Sequence, residues 1–561
     1  MTAAERLRAK LTEAADALGV SGVEVQLERP RNPEHGDWAT NLAMTLAGRL
    51  RKPPRTIAEE LVSRLDLTGA GVRTAEVAGP GFINFRLSGA AVEALLERIL
   101  TEDEGFGRIA AAVPRRVMVE FVSANPTGPL HVAHGRGAAL GDAIATLLEW
   151  TGDRPHREFY VNDAGVQIDR LAESVDARWR QERGEDAAIP EGGYHGEYVR
   201  EIARSAREEL GERLDAAGDA ERVGLLREWA VDRLRAGQVE DLVAFGVVFD
   251  EWYPESRVYA EGRIRETLAE LAERGLTYES EGALWLRTTA FGDDKDRVMV
   301  KQDGTYTYFL PDLAYHREKA RRGFDHAVNV WGADHHGYIG RMKAGLEALG
   351  HPGFLDVEIV QMVRILRGGK EAKLSKRAGD FVTLRELFEE TGPDVARYFF
   401  LMRRCDSQML FDLDLALDRS DKNPIYKVQY AHARMMSIFR KAGVSAGQGA
   451  GGEPPLDRLE TDTERDLIKQ LARFPEIVQR AASDRAPHVV CDYLEETAGT
   501  ANSWYHAGNP SRSPELAVLV DDPELREARL ALARGVRIVL RNGLRILGIS
   551  APDRMEREER E

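Results

Sequence analysis

The chain has 561 residues, 43% of them hydrophobic, and this length predicts about three or four domains because a single hydrophobic core does not grow so large. Its net charge of -16 argues against a protein that coats nucleic acid indiscriminately, although a local basic face remains compatible with it. Its two cysteines, Cys405 and Cys491, lie far apart and lack neighbouring ligands, so they indicate neither a disulfide framework nor a structural zinc site. Because the predicted N-terminal helix is charged and the sequence has no long apolar run, we expect a soluble, cytoplasmic protein without a membrane span.

The first hundred residues alternate helical patterns with short strands and end in an alternating apolar run at residues 77–87. This pattern predicts a compact α+β module closed by a strand. A strand is then expected at 116–121, a turn at 123–129 and a helix rich in Gly and Ala at 131–150. Strand, turn and helix in this order open a doubly wound nucleotide-binding sheet.

The next segment, from Glu158 to about Gly246, is charged and helical in period and is interrupted by a Gly- and Pro-rich stretch at 185–196. It reads as an insertion between two halves of the sheet. Strands are expected to resume near Leu284, Thr305 and Val328.

A further strand region at 357–366 leads into a lysine-rich loop, and from Leu410 onward the pattern is helical except at 443–455. The predicted fold is therefore multidomain α/β, with a Rossmann-like parallel-sheet catalytic domain, an N-terminal α+β module and a C-terminal all-α bundle. The predicted bounds are 1–106 for the N-terminal module, 107–380 for the catalytic domain with its helical insertion at about 165–250, 381–410 for a connecting stem and 411–561 for the helical domain.

Two histidines one helical turn apart, His131 and His134, stand at the start of the predicted Gly- and Ala-rich helix. Backbone N–H groups at a helix start favour an anion, and nucleotides bind at the carboxyl edge of a parallel sheet. We therefore interpret the pair as hydrogen-bond donors to ATP phosphate oxygens, without a covalent bond to the nucleotide. The alternative is a pair of histidines that only satisfy the helix start.

The second candidate is the loop containing Lys373, Ser375 and Lys376. Mobile positive charge and a hydroxyl can stabilise the negative charge that builds on the departing pyrophosphate of a triphosphate. Lys376 is the first choice for the contact with the pyrophosphate. The alternative is a basic loop that simply faces water.

Further motifs follow one another along almost the whole chain, at 33–40 with 79–82, 121–131, 159–165, 331–338 and 429–434. Together with the two ATP segments they resemble the arginyl-tRNA synthetases, a family of class I aminoacyl-tRNA synthetases. The resemblance implies that the chain activates L-arginine with ATP and transfers it to the 2′-hydroxyl of the terminal adenosine of tRNA-Arg. It also implies Mg²⁺ carried by the nucleotide, no zinc or other protein-held metal, a monomer, and no membrane or DNA partner.

The resemblance also implies an arginine site. A planar guanidinium with five donors suits a carboxylate that takes two parallel hydrogen bonds, and Asp312 matches the family's carboxylate in that role. An alternative for Asp312 is the N-cap of a helix that starts at Leu313, and Glu120 could be only a polar strand end. The arginine-binding residues implied are Glu120, Ser123, Asn125, Tyr308, Asp312 and His335.

The ATP site implied by the resemblance joins the two histidines to a second motif beyond the middle of the chain. This second motif contains the adjacent residues His335 and His336, which lack a third ligand and are therefore a poor metal site. Ala133 departs from the family, which more often has Gly there. The implied ATP-binding residues are Pro129, His131, His134, Gly135, Gly332, Asp334, His335, His336 and Lys376.

For tRNA, Phe82 and Asn84 resemble the aromatic and amide positions that hold a D-loop base, and Tyr430 and Arg434 resemble anticodon-loop contacts in an anticodon-binding bundle. Phe82 and Tyr430 could each instead be core residues. Lys427 replaces a tyrosine that is common in the family, and it could contact phosphate.

Three rival functions stay open at this point. They are a class I synthetase for another amino acid, an adenylating ligase that does not act on tRNA, and a non-catalytic tRNA-binding protein. Asp312 together with Tyr308, and the lack of a zinc constellation, favour arginine. Lysine cannot fill a bidentate fork, so an arginine site needs no editing domain.

Overall fold

A computed structural model describes residues 3–30, 32–163, 165–372, 382–446, 453–508 and 512–555. The chain forms two compact units. One unit comprises Met1–Phe106, Ala431–Phe474 and Thr497–Val539, and the other comprises Gly107–Tyr430, Pro475–Glu496 and Leu540–Glu561. Across the described ranges, no helix combines the length and the apolar character needed to cross a bilayer.

The N-terminal region is an α+β module, as predicted. Its three strands form an antiparallel sheet in the order β1-β3-β2. Along β3 the buried residues Ile83, Phe85 and Leu87 alternate with half-buried ones, because successive side chains point to opposite faces of a strand. The elements are α1 (Ala3–Asp16), β1 (Trp38–Thr40), α2 (Leu42–Leu50), α3 (Pro54–Arg64), α4 (Leu67–Ala70), β2 (Val72–Ala78), β3 (Phe82–Leu87) and α5 (Gly89–Glu102).

The middle of the chain contains the parallel sheet, the helical insertion and two small three-stranded sheets. Its first elements are β4 (Arg116–Glu120), α6 (Val132–Trp150), β5 (Arg154–Val161), α7 (Val166–Glu182), α8 (Glu197–Ala216), α9 (Asp219–Ala244), β6 (Glu251–Pro254), α10 (Glu255–Ala260), α11 (Arg263–Glu273), β7 (Thr277–Ser280), β8 (Ala283–Leu286) and β9 (Arg297–Val300). The remainder are α12 (Phe309–Arg321), β10 (His326–Gly332), α13 (Ile339–Ala348), β11 (Leu355–Val360), β12 (Val363–Arg367), β13 (Lys370–Glu371), α14 (Leu384–Thr391), α15 (Pro393–Leu401), β14 (Met409–Asp412) and α16 (Leu413–Ala416).

The rest of the described chain is helical, as predicted, apart from its loops. Its helices are α17 (Pro424–Ala442), α18 (Asp462–Ala472), α19 (Phe474–Ser483), α20 (His488–Ala507) and α21 (Pro523–Ile546).

Five strands form one parallel sheet in the order β11-β10-β4-β5-β6. The chain starts at β4, moves outward through β5 and β6, and returns to the other side of β4 with β10 and β11. The carboxyl end of β4 is therefore the switch point at which such sheets bind nucleotides. The helix α6 starts there and lies close to the sheet, since a Cβ atom on Gly141 would approach the Phe121 ring to 2.1 Å. The predicted fold class is confirmed.

Three local predictions were wrong. Glu158 belongs to β5, and the insertion becomes helical only at Val166. The strand expected near Thr305 is reduced to an isolated antiparallel bridge between Tyr306 and Val300. Thr305 itself lies in the turn after β9, where its backbone N–H and its hydroxyl both donate to Asp303, at 2.9 and 2.6 Å. Leu410 belongs to β14, which pairs with β12 before the helical region begins.

Candidate active site

The two histidines lie together at the start of α6, as predicted. His131 is the N-cap, its ring stacks on that of His134 with centroids 3.6 Å apart, and its backbone N–H donates to His134 Nδ1 at 3.3 Å. Burial lowers the pKa of His131, and burial together with the neighbouring His131 lowers the pKa of His134 to about 3. Both imidazoles are therefore neutral at pH 7, and because Nδ1 of His134 accepts, its proton is on Nε2. His134 thus offers an uncharged N–H donor.

Just after β4 ends at Glu120, two residues have left-handed backbone angles, Val122 with φ 68° and Ser123 with φ 42°. Neither is glycine, so this conformation costs energy of the kind that is often stored at functional sites. It turns the Ser123 hydroxyl back to donate to Glu120 Oε1 at 3.0 Å, while Ser123 Oγ accepts the Tyr160 backbone N–H at 3.2 Å. The strand end is thereby fixed against β5.

A buried network holds the other oxygen of Glu120. Lys319 and Asn329, both fully buried, donate to Glu120 Oε2 at 2.5 and 2.9 Å, and Lys319 also donates to Asn329 Oδ1 at 3.0 Å. The charge of Glu120 is therefore paired, and Oε1 retains capacity for a second donor besides Ser123. Glu120 is a fixed buried carboxylate rather than only a polar strand end. The sequence motifs identified neither Lys319 nor Asn329, because each looks like an ordinary polar residue of a helix or strand.

Asp312 lies in the first turn of α12, which starts at Phe309, so the alternative of an N-cap before Leu313 is wrong. Its Oδ2 accepts the hydroxyl of Tyr338 at 2.9 Å. Burial raises the pKa of Asp312 to about 7, and the charges of Glu255 and Glu120 contribute to the rise. A carboxylate whose pKa is raised by neighbouring carboxylates lies in a negative field that a bound cation relieves.

Glu255 is a second carboxylate of this pocket that the motifs did not indicate. It is the first residue of α10, directly after β6, and burial and the charge of Asp163 raise its pKa to about 7. Asp163, two residues after the end of β5, accepts the backbone N–H and the hydroxyl of Ser256 at 2.9 and 2.7 Å, which fixes the start of α10. The sequence signal that could have identified Glu255 is a carboxylate directly after a short strand, but that strand, β6, was not predicted.

Two of the other predicted arginine contacts point elsewhere in the free protein. Tyr308 is 87% exposed, so its ring is not packed beside Asp312. Asn125 donates from Nδ2 to Gln167 Oε1 at 2.6 Å.

The predicted ATP residues of the second motif lie at the carboxyl end of β10. Gly332 ends the strand, and Asp334, His335 and His336 are exposed on the short 3-10 helix Ala333–Tyr338, with His335 Nε2 3.4 Å from an Asp334 oxygen. Pro129 is half-buried in the turn before α6.

Gly135 has a packing role, since a Cβ atom there would lie 2.5 Å from Leu384 Cδ1. Lys373, Ser375 and Lys376 fall outside the described residues.

A cluster with metal-like spacing lies on β5 and β6, where Glu158 and Glu251 are in register with Glu120 and ligand atoms of His156, Glu158 and Glu251 are within 4.8 Å of one another. Arg322 Nη2, however, lies 2.6 Å from an oxygen of each glutamate. Burial pushes the pKa of Glu158 upward, but hydrogen bonds from His156 and Arg322 outweigh it and bring the pKa to about 2. The guanidinium already provides the positive charge, so this cluster is an ion pair that supports the sheet.

The predicted tRNA residues lie on β3 and α17. Phe82 and Asn84 are half-buried on the face of β3 opposite the buried Ile83 and Phe85, so Phe82 is not part of that core. Tyr430 is also half-buried and stacks on Tyr426, with centroids 5.8 Å apart.

Farther along α17, Arg434 donates to Asn502 Oδ1 at 2.5 Å and lies over the Tyr505 ring. Lys427 is half-buried, and its charge lowers the pKa of Glu495, although burial, the larger effect, leaves that pKa raised.

The parallel sheet with a neutral histidine pair at its switch point is the catalytic architecture of a class I aminoacyl-tRNA synthetase. In agreement, the family described as tRNA synthetases class I (R), catalytic domain, matches residues 95–398. The arginyl tRNA synthetase N terminal domain matches residues 2–87, and the DALR anticodon binding domain matches residues 428–555. The chain belongs to the arginyl-tRNA synthetase family, as its motifs predicted.

Individual relatives agree with this assignment. The chain is 46% identical to an arginine–tRNA ligase of Geobacillus thermodenitrificans over 98% of this chain and 99% of the relative, and 44% identical to that of Bacillus subtilis over 98% of each. It superimposes on the arginyl-tRNA synthetase of Thermus thermophilus with a TM-score of 0.75 at 27% identity, covering 98% of this chain and 100% of that one.

Proposed function

We propose that this enzyme activates L-arginine with ATP to form arginyl-adenylate and diphosphate, and then transfers the arginyl group to the terminal adenosine of tRNA-Arg, releasing AMP. The observation that carries the proposal is a group of acidic side chains at the carboxyl edge of the sheet, in which Asp312 is subject to the charges of Glu255 and Glu120, while the neutral histidine pair starts the helix that follows β4. Arginine is the amino acid whose side chain keeps its charge under all physiological conditions and offers planar paired donors.

In this proposal Asp312 takes two parallel N–H donors of the guanidinium, and Glu255 faces the same group. Tyr338 holds Asp312 in place through its hydroxyl. Lysine brings a compact ammonium with three donors, which leaves carboxylate oxygens unpaired, so the pocket favours arginine over lysine.

The same arrangement suits the other end of the substrate. Glu120 Oε1, with one protein donor from Ser123, accepts the α-amino group; Ser123 takes part in the site by orienting Glu120, and Asn125 binds the carboxylate through its amide. The carboxylate then attacks the α-phosphorus of ATP. Tyr308 and His335 complete the arginine site in this proposal, which requires Tyr308 to move from its exposed position.

His131 and His134 stabilise the charge that builds on the phosphates. Each imidazole acts as a donor and forms no bond to phosphorus, so the catalytic contribution is positioning and hydrogen bonding. Lys373, Ser375 and Lys376 are proposed to bind the departing diphosphate, and Pro129, Gly135, Gly332, Asp334 and His336 to shape the nucleotide site. The nucleotide carries its own Mg²⁺, and we propose no zinc.

The tRNA contacts proposed are a D-loop base on Phe82 and Asn84, and the anticodon loop on Tyr430 and Arg434, with Lys427 near a phosphate. The face of β3 opposite its core supports the first of these, because a half-buried aromatic ring beside an amide suits an unpaired base. We further propose that the enzyme acts as a monomer in the cytoplasm, where its substrates ATP and tRNA are found, and that DNA is not a partner.

The test is a charging assay with ATP, total tRNA and each of the twenty amino acids in turn. We expect a tRNA-linked product with arginine only, and an Asp312→Asn variant that loses at least about 100-fold in kcat/KM for arginine. Asp186→Asn, which changes an exposed carboxylate in the loop between α7 and α8, provides the control. Charging with a different amino acid, or adenylate formation that never reaches tRNA, would reject the proposal in favour of another synthetase or a small-molecule ligase.

A further inference from the structure

The hydroxyl of Tyr160 is shielded from solvent and finds no hydrogen-bond partner among the residues that the structure describes. Tyr160 belongs to the segment 159–165 near the end of β5, to which the proposed reaction assigns no task. A buried hydroxyl without a partner costs free energy, so its presence in the pocket requires an explanation. A ligand that supplies the missing partner is one such explanation.

Three features place Tyr160 beside the arginine pocket. Its backbone N–H donates to Ser123 Oγ, which in turn donates to Glu120. It is paired in register with Tyr253 on β6, two residues before Glu255. Its ring also packs at 4.3 Å against that of Tyr315, which lies three residues after Asp312 on α12.

The charges around the hydroxyl are those of the pocket. Burial is the main cause that raises the pKa of Tyr160 well above its usual value, and the charges of Glu255, Asp312 and Glu120 raise it further. The hydroxyl is therefore protonated and lies in the field of carboxylates from three different segments. It has one proton to donate and lone pairs to accept with.

An arginine side chain brings five N–H donors in a fixed plane. If Asp312 and Glu255 each accept two, one donor remains without a carboxylate partner. We propose that the Tyr160 hydroxyl accepts this remaining N–H of the guanidinium while donating its own proton to a pocket carboxylate, which makes Tyr160 a specificity-determining residue for arginine. This inference rests on the proposed arginine activation.

The chain contains a matched control in Tyr253. Its hydroxyl is also buried without a hydrogen-bond partner in the described structure, and its ring stacks on that of Tyr160 with centroids 6.4 Å apart. The charges that act on Tyr253 come from Arg257, Glu318, Glu261 and Arg322, none of which belongs to the arginine pocket. Tyr160→Phe and Tyr253→Phe therefore remove the same atom from neighbouring rings, but only the first removes it from the pocket.

The experiment measures arginine affinity by calorimetry, the KM values for arginine and ATP, and the thermal unfolding midpoint for the wild type and both variants. For Tyr160→Phe we expect arginine affinity to fall about 10- to 100-fold, the size of a lost hydrogen bond to a charged group, with the KM for ATP unchanged. Its unfolding midpoint without ligand should stay the same or rise, because an unpaired buried hydroxyl is deleted. For Tyr253→Phe we expect unchanged arginine affinity.

A substrate analogue locates the contact. The compound 5-guanidinopentanoic acid keeps the guanidinium but lacks the α-amino group, so Tyr160→Phe should weaken its inhibition by the same factor as it weakens arginine binding. If the analogue is unaffected, the hydroxyl serves the α-amino end and the inference is wrong.

The inference is also wrong if both variants bind arginine alike, or if Tyr160→Phe lowers the unfolding midpoint while arginine affinity is retained. A wild-type enzyme that fails to charge tRNA with arginine would overturn the proposed function itself. Wild-type charging together with an unaffected Tyr160→Phe variant overturns only the role of Tyr160.

Discussion

Arg136, two residues after His134 on α6, donates to the backbone carbonyl oxygen of Gln361 at 2.9 Å, directly after the end of β11. The same guanidinium donates to the carbonyl oxygens of Ser407 and Arg404 at 2.9 and 2.8 Å, and its side chain is 1% exposed. One buried cation therefore ties the helix of the histidine pair to the carboxyl edge of the sheet and to the loop after α15. Its donors lie in a fork that a lysine ammonium cannot reproduce.

We expect Arg136→Met to lower the free energy of unfolding by about 2–3 kcal/mol, because the partly buried carbonyls of Gln361 and Ser407 lose a charged donor and that of Arg404 loses one of its donors. Chemical denaturation measures this loss, and Arg136→Lys should restore only part of it. The control is Arg404→Ala, since the Arg404 side chain is exposed and paired with Asp406 on the surface, while its backbone carbonyl remains. The free energy of unfolding of that control should stay within about 0.5 kcal/mol of the wild type. Equal losses of stability in Arg136→Met and Arg404→Ala would contradict the role of the Arg136 side chain in joining these segments.

The second prediction concerns the pH dependence of arginine binding. Asp312 and Glu255 each have a pKa raised to about 7 in the free protein, so both lose charge as the pH falls through 7. Because bound guanidinium favours their ionised forms, the KM for arginine should rise as the pH falls from 8 to 6, by up to about tenfold per pH unit for each group. The KM for ATP, measured in the same series, should change much less. An arginine KM that is flat across this range would show that neither carboxylate faces the substrate.

The raised pKa of Asp312 also predicts that this carboxylate destabilises the ligand-free enzyme, although arginine binding depends on it. The pKa of Asp312 is about 7 in the folded protein, against an ordinary value of 3.8 for an aspartate, so the folded state binds the proton more tightly than the unfolded state. The free energy of unfolding therefore falls as the pH rises from about 4 to 7. Asp312→Asn removes this penalty and should stabilise the ligand-free enzyme at pH 8 by about 1–3 kcal/mol. At pH 4 the variant and the wild type should unfold alike. A variant that is destabilised at pH 8 would contradict the buried charge.

Much of this molecule follows from local patterns. The strand, turn and glycine-rich helix around His131 were predictable because the turn residues, the apolar run and the helix signals lie next to one another in the chain. The alternating burial of β3 was predictable for the same reason.

The electrostatics of the site were not predictable in this way. Glu120 is paired with Lys319, which is distant in sequence, and Asp312 acquires its raised pKa partly from Glu255, on another segment. No periodicity indicates such pairs, because only the parallel strand order brings them together. Glu255 was missed because β6, four residues long, lies behind a long helical insertion.

A further prediction separates catalysis from substrate binding at the histidine pair. His134→Ala removes one neutral donor to the phosphates, so adenylate formation should fall about 100- to 1000-fold while arginine affinity changes only a few-fold. His134→Gln retains an acceptor for the His131 backbone N–H and an amide donor, and it should recover part of the rate. The control His195→Ala changes an exposed histidine outside the site and should have no effect. Pre-steady-state adenylate formation checks all three variants, and a near-wild-type rate for His134→Ala would remove His134 from the mechanism.

The last prediction uses the alternation of β3 to separate tRNA binding from folding. Phe82 lies on the face opposite the core and Phe85 in the core, three residues apart on one strand. Phe82→Ala should weaken tRNA-Arg binding by about 1–3 kcal/mol, the value of one stacked base, and leave the unfolding midpoint nearly unchanged. Phe85→Ala should instead lower the free energy of unfolding by about 3–5 kcal/mol. Filter binding of labelled tRNA and thermal unfolding measure the two effects, and Asn84→Ala should resemble Phe82→Ala because both side chains share the face opposite the core. If Phe82→Ala destabilises the fold without weakening tRNA binding, Phe82 is a packing residue and the D-loop contact lies elsewhere.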